Sequence, residues 1–159
     1  RLQDIVFARQ NGVPLLEYDE KTGETTPGSL LTSWGLGNWS GSQDRKFRTL
    51  RAGVCLATNG DRKFLIYGYF STMTPSGMAR IFQAYQCTYA MHLDMNALEH
   101  TYLAMYPETR KGKSGNVQHL ITGMSVLDRV YESQEVPRFI GLPDNRDFFY
   151  VLRRDAKGD

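Results

Sequence analysis

Cysteine is scarce: Cys55 and Cys87 are the only two in 159 residues. Two are too few for a disulfide scaffold, and they stand too far apart for a zinc knuckle. The simpler reading is a pair of buried free thiols. A single bridge requires that two strands or strand ends adjoin, which sequence alone does not decide. Long hydrophobic runs are absent too, so no membrane span is expected. Charge of one sign is also missing. The 19 basic and 17 acidic residues leave +2, so no nucleic-acid partner is expected, since that binding needs concentrated positive charge. The opening RLQDIVFARQ has too short an apolar segment for a signal peptide. The first residue is not Met, and we read the chain as a processed form or a piece of a longer protein. The missing leader therefore says little about compartment. No repeat, low-complexity tract or domain boundary stands out, and a single domain over 1–159 is expected.

An apolar content of 41% with 23% charged residues describes a folded globular chain. Residues 2–8 and 13–18 read as strands, and DEKTGETTPGS as a turn-rich loop. Residues 47–58 and 63–70 read as paired strands around a turn at Asn59-Gly60-Asp61, residue types suited to a tight turn. A helix over 75–86 follows, with Thr74 as cap and Pro75 at its first position. Met78, Ile81, Phe82 and Tyr85 form its apolar face, read as core packing, with Arg80, Gln83 and Gln86 opposite. Residues 88–95 then form a strand, VQHLITGMSVLDRVYE reads as two short elements broken at Gly123, and DFFYVL reads as a late strand. The expected fold class is α+β: a mostly antiparallel sheet with the amphipathic helix packed on it.

Residues 87–106, CTYAMHLDMNALEHTYLAMY, place Asp94, Asn96, Glu99 and His100 inside an apolar stretch. Buried carboxylates are costly unless paired or bound to a ligand. Strand alternation predicts Ala90, His92, Asp94 and Asn96 on one face, and Leu93 and Met95 on the other. Such a cluster could supply an acid and a base or hold a divalent cation, although its spacing matches no strict metal motif. The plainer reading has Asp94 and Asn96 bonded to turn amides and His100 as a partly buried structural histidine. Arg48 and Arg51 in FRTLRAGV are expected on opposite faces of their strand. An arginine there pairs with a carboxylate, here Asp94 or Glu99, or receives an anion. Trp34 and Trp39 lie in a Gly/Ser-rich segment and could stack on sugars or plug the edge of the core. Asn38-Trp39-Ser40 fits the glycosylation pattern. The basic stretch PETRKGKSGN reads as a solvated loop.

The order RTLRAGV, GDRKFLIYGYF, TPSGMARIFQAYQCTYAMHLD and PRFIGLPDNRDFFYVLRR resembles the phosphodiester glycosidase family, relatives of the "uncovering" enzyme that removes N-acetylglucosamine from a mannose phosphodiester. In that family an Arg-rich strand ending Ala-X-Gly precedes a hairpin, a helix and a strand ending Leu-Asp-Gly-Gly-Gly-Ser. Arg48, Arg51, Ala52 and Gly53 match the first motif; Leu93 and Asp94 match the start of the last. The family's glycines are replaced here by Met95-Asn96-Ala97-Leu98, followed by Glu99-His100-Thr101. The resemblance implies hydrolysis of a glycosyl phosphodiester or related sugar linkage. Arg51, supported by Arg48, would hold the anionic group, with Asn96 as a further substrate contact. Asp94 and Glu99 would be the acid and base, as two carboxylates are in most glycosidases, and His100 a proton donor or orienting group. It implies an exported protein, with a carbohydrate or sugar-phosphate ligand. Because the family's domain begins further upstream, the missing N-terminal part or another chain is an expected partner. The alternative is a noncatalytic carbohydrate- or envelope-binding module. Convergence of Asp94, Glu99 and Arg51 on one cleft would favour the enzyme.

Overall fold

The computed structural model describes residues 13–31, 47–106, 117–138 and 149–152. The expected strand at 2–8, the tryptophan segment at 33–44 and the basic loop at 107–116 lie outside the described residues. The chain divides into two compact units, Arg1–Leu103 and Ala104–Asp159.

The first unit is α+β. Its centre is the hairpin of β3 (Thr49–Asn59) and β4 (Arg62–Met73), with β5 (Cys87–Met95) antiparallel on the other side of β3. Asn59 pairs with Arg62, so Gly60 and Asp61 make a two-residue turn, and Gly60 takes φ +58°. That left-handed value suits glycine at the first turn position. The turn therefore falls within the expected Asn59-Gly60-Asp61, with Asn59 itself still in the strand.

The helix α1 (Pro75–Ala84) starts as its sequence dictates: the Thr74 hydroxyl accepts from the Gly77 N–H at 3.1 Å, and Pro75 fills the first turn. It ends two residues short of the expected boundary. Tyr85 already caps the helix, and Gln86 reverses the chain at φ +57°. Tyr85 therefore leaves the apolar face and is 62% exposed, while Pro75, Met78, Ala79 and Phe82 are buried. Gln83, expected on the polar side, is half-buried and donates to the Thr25 carbonyl.

Close helix-on-sheet packing depends on Gly53. A Cβ there would lie 2.8 Å from the Met78 methyl, and 3.0 Å from both a Phe82 ring carbon and the Met91 carbonyl oxygen. The Phe82 ring meets Phe70 edge-on, centroids 5.8 Å apart. Leu15, Leu16 and Leu31 complete this core. The segment read as one loop after residue 18 contains a strand. β1 (Leu16–Tyr18) pairs antiparallel with β2 (Thr25–Pro27), and the Leu15 N–H donates to the Ala90 carbonyl at 2.8 Å. The β-branched Thr25 and Thr26 suit a short strand, and Pro27 is tolerated at its end.

The two cysteines are joined, which corrects the free-thiol reading. Cys55 and Cys87 form a disulfide with Cα atoms 5.9 Å apart, buried in the same core. The reason is a bulge. Leu56 pairs with Tyr89 but Ala57 pairs with Cys87, so Thr88 is an extra residue. The bulge turns Cys87 to the face of the sheet that carries Cys55 and Ala57.

In the second unit, β6 (Ala104–Met105) pairs with β7 (Gln118–His119), and β8 (Arg129–Tyr131) with β9 (Gln134–Val136). A 3₁₀ turn at Met124–Leu127 follows Gly123, which is left-handed. The Asp128 carboxylate accepts from His119 Nε2 at 2.8 Å and from the Arg138 N–H at 3.0 Å. Residues 149–152, expected within a strand, have no regular structure.

Candidate functional site

Two further bulges flank Arg51. Between Thr49 and Arg51, β3 advances two residues while β4 goes from Met73 to Phe70. Between Arg51 and Gly53, β3 again advances two residues while β5 goes from Met95 to His92. Bulges re-aim side chains and are common beside active sites. Here they break the expected alternation on β5. His92 is buried and Asp94 is 52% exposed at its side chain, although the two were expected to share a face. Met95 stands opposite Arg51 instead.

Arg51 is fully buried. Its Nε donates to the Met73 carbonyl at 2.8 Å, its Nη1 reaches the Met95 sulfur at 3.5 Å, and its Nη2 has no hydrogen-bond partner. The expected ion pair with Asp94 or Glu99 is not formed. A guanidinium held by one carbonyl and one thioether, a weak acceptor, is poorly compensated. Burial lowers its pKa from the usual value, but guanidinium stays charged in proteins. His92 carries the electrostatic consequence. Burial first, and the Arg51 charge second, bring its pKa down to about 4, so it is neutral at pH 7. Arg48 precedes β3 and is exposed.

Asp94 and His100 come together at the end of β5. Asp94 Oδ1 accepts from the Met95 N–H at 2.7 Å and lies 3.3 Å from His100 Nδ1. That nitrogen is also 3.1 Å from the Met95 carbonyl oxygen. A carbonyl only accepts, so the contact places a proton on Nδ1, and in the neutral ring the lone pair then belongs to Nε2. Asp94 bonds to a turn amide, as the plainer reading expected, and contacts the imidazole as well.

The turn that carries these groups is tied down at several points. Asn96 is left-handed (φ +74°), its N–H donates to the Leu50 carbonyl at 2.9 Å, and its side-chain oxygen accepts from the Thr49 hydroxyl at 3.0 Å. Asparagine tolerates this conformation better than other non-glycine residues. Glu99 and His100 lie on the 3₁₀ turn Leu98–Thr101. The Tyr67 hydroxyl donates to the Thr101 carbonyl at 2.9 Å, fastening that turn to β4. Burial, then Tyr69 and Asp94, push the Tyr67 phenol's pKa up, so it stays neutral. Glu99 is half-buried and makes no hydrogen bond or ion pair among the described residues.

The structure thus joins Asp94 with His100 and Asn96 with Thr49, and does not bring Arg51 into contact with either carboxylate. Sequence reasoning missed Met95, whose N–H, carbonyl and sulfur contact Asp94, His100 and Arg51 respectively. Only the register reveals it. Among the described residues no three His, Cys, Asp or Glu side chains are grouped to hold a metal ion, and no helix is long and apolar enough to cross a membrane. No family model, curated protein or solved structure matches the chain.

Proposed function

We propose that this protein hydrolyses a glycosyl phosphodiester or related sugar linkage, with His100 as the proton-transfer group. The observation that carries this reading is the Asp94–His100 pair, in which Nδ1 is held by Asp94 and the Met95 carbonyl. An imidazole oriented through one nitrogen by a carboxylate works as a base through the other. In the reaction, water attacks the anomeric carbon and the bond from that carbon to the phosphodiester oxygen breaks. His100 Nε2 takes the water proton. The departing phosphomonoester leaves as a stable anion and needs no acid, so one base suffices. Asp94 then serves as the orienting carboxylate rather than as half of a two-carboxylate pair, and Glu99 is assigned no step. Arg51, with an unmatched N–H donor group and no carboxylate partner, is the cation for the phosphate group. The resemblance in the Arg51–Gly53 and Leu93–Asp94 segments supports the same substrate class.

The buried Cys55–Cys87 bridge supports an exported location, because disulfides persist in oxidising compartments. A second reading, a noncatalytic carbohydrate- or envelope-binding module, is favoured by the complete enclosure of Arg51. The full-length protein should be assayed against a panel of sugar phosphodiesters, with binding measured in parallel. Turnover of at least one member supports the hydrolase. Saturable binding without turnover supports the module and overturns the enzymatic reading.

A further inference from the structure

Arg51 has a cover. Met95 lies opposite it in the β3–β5 register, is half-buried, and rests its sulfur 3.5 Å from Arg51 Nη1. The cover is a poor match for what it covers. A thioether is a weak acceptor, whereas a phosphate oxygen takes short, charge-assisted bonds from a guanidinium fork. Methionine is also unbranched and adapts its shape readily. The cation beneath keeps one nitrogen, Nη2, without an acceptor, and among the described residues its side chain's one backbone bond is to Met73, the residue before the Thr74 cap of α1. The first turn of α1 holds no acidic residue, so the positive end of that helix adds to the local demand for negative charge.

We propose that Met95 is a displaceable cover over Arg51, and that the position it vacates takes a tetrahedral oxyanion, a phosphate or phosphodiester group. The inference rests on the reading of Arg51 as the phosphate-binding cation and adds how that site is kept closed. In the closed state Arg51 is sealed beneath the thioether. When the anion arrives, Met95 swings outward, Nη1 exchanges sulfur for oxygen and Nη2 gains its acceptor. Met95 also carries the backbone N–H and carbonyl that hold Asp94 and His100. Opening of the anion site is therefore mechanically close to the proton-transfer pair.

The test is phosphate binding, read by calorimetry and by the phosphate-dependent rise in melting temperature, with chloride at matched ionic strength as control. Met95→Ala removes the cover and should bind inorganic phosphate at least about tenfold more tightly than wild type, because a site open a tenth of the time binds tenfold more weakly. Met95→Ala combined with Arg51→Lys should lose that gain, since lysine lacks the fork. Met95→Gln keeps the side-chain length but offers an oxygen to Nη1. It should seal the site, weaken phosphate binding and raise the melting temperature without phosphate. Equal phosphate affinity in Met95→Ala and wild type overturns the proposal, as does a gain that survives Arg51→Lys. If Met95→Ala does not fold, the glutamine variant decides: unchanged or tighter phosphate binding overturns the cover. Because the readout is binding, it separates from catalysis. This pattern without turnover on any sugar phosphodiester refutes the hydrolase and leaves the cover standing; turnover without this pattern does the reverse.

Discussion

The two ends of β5 bury different things. At its start, Cys87 is bridged to Cys55 and packed among Ala57, Ala79, Met78 and Phe82, so that the sheet and α1 enclose an apolar core. At its end, the same sheet encloses a guanidinium with an unmatched N–H donor group beside a neutral imidazole. Both ends are shaped by bulges on β5. At the start the extra residue completes a bond that strengthens the core. Near Arg51 the bulge sets Met95 over the cation and moves Asp94 out toward His100. One backbone device thus builds stability at one end and a site at the other, and the second use is tolerated because the first exists.

The largest effect should come from cutting the stable end. The bridge spans 32 residues of sequence, and loop closure of that length corresponds to about 4 kcal/mol in the chain-entropy model. Cys55→Ala with Cys87→Ala should lower the unfolding free energy by about that amount in a denaturant titration. A loss below about 1 kcal/mol would show that packing alone holds this end.

The next effect belongs to the site end and depends on pH. His92 has its pKa lowered to about 4 in the folded state, against about 6.5 in an unfolded chain. Between these values the unfolded state binds a proton that the folded state does not, so stability rises with pH there and falls on acidification. The contribution is complete above about pH 6.5 and gone below about pH 4, a loss of about 3 kcal/mol. His92→Gln should flatten the stability curve across that window. An unchanged slope would mean that His92 is not the group that acid titrates.

The smallest stability effect should come from Asp94. Its side chain is half exposed, and Asp94→Asn keeps an oxygen for the Met95 N–H. The unfolding free energy should therefore move by no more than about 0.5 kcal/mol, as at ordinary surface positions, while turnover or ligand binding falls. A clear drop in melting temperature with function intact would make Asp94 scaffolding.

Much of the stable end was legible because its signals are local. The β3–β4 hairpin announces itself through Asn59-Gly60-Asp61 and a returning strand rich in aromatic and branched residues, and α1 through Thr74, Pro75 and the Met78–Phe82 spacing. Bulges are not local. Whether Thr88 is an extra residue depends on which β3 residue it faces, so the disulfide could not be read from cysteine spacing. The same holds for Met95. Strand alternation sets it on the face opposite Asp94, one of the carboxylates expected to pair with Arg51, and only the displaced register brings Met95 opposite Arg51. Tyr85 left the apolar stripe because Gln86 turns left-handed, which its side chain does not advertise. The polar cluster itself was visible, and so were its members; their pairing, with His100 oriented by Asp94 and Glu99 left out, required coordinates.

The most direct test of the central claim is the turnover of a sugar phosphodiester by His100→Gln beside wild type, with a thermal melt on the same preparations. A loss of about 10²–10⁴-fold is expected, the usual worth of a positioned general base, with melting temperatures within a few degrees of each other. Wild-type turnover in the glutamine variant would contradict it, because no proton would then need to pass through His100 Nε2.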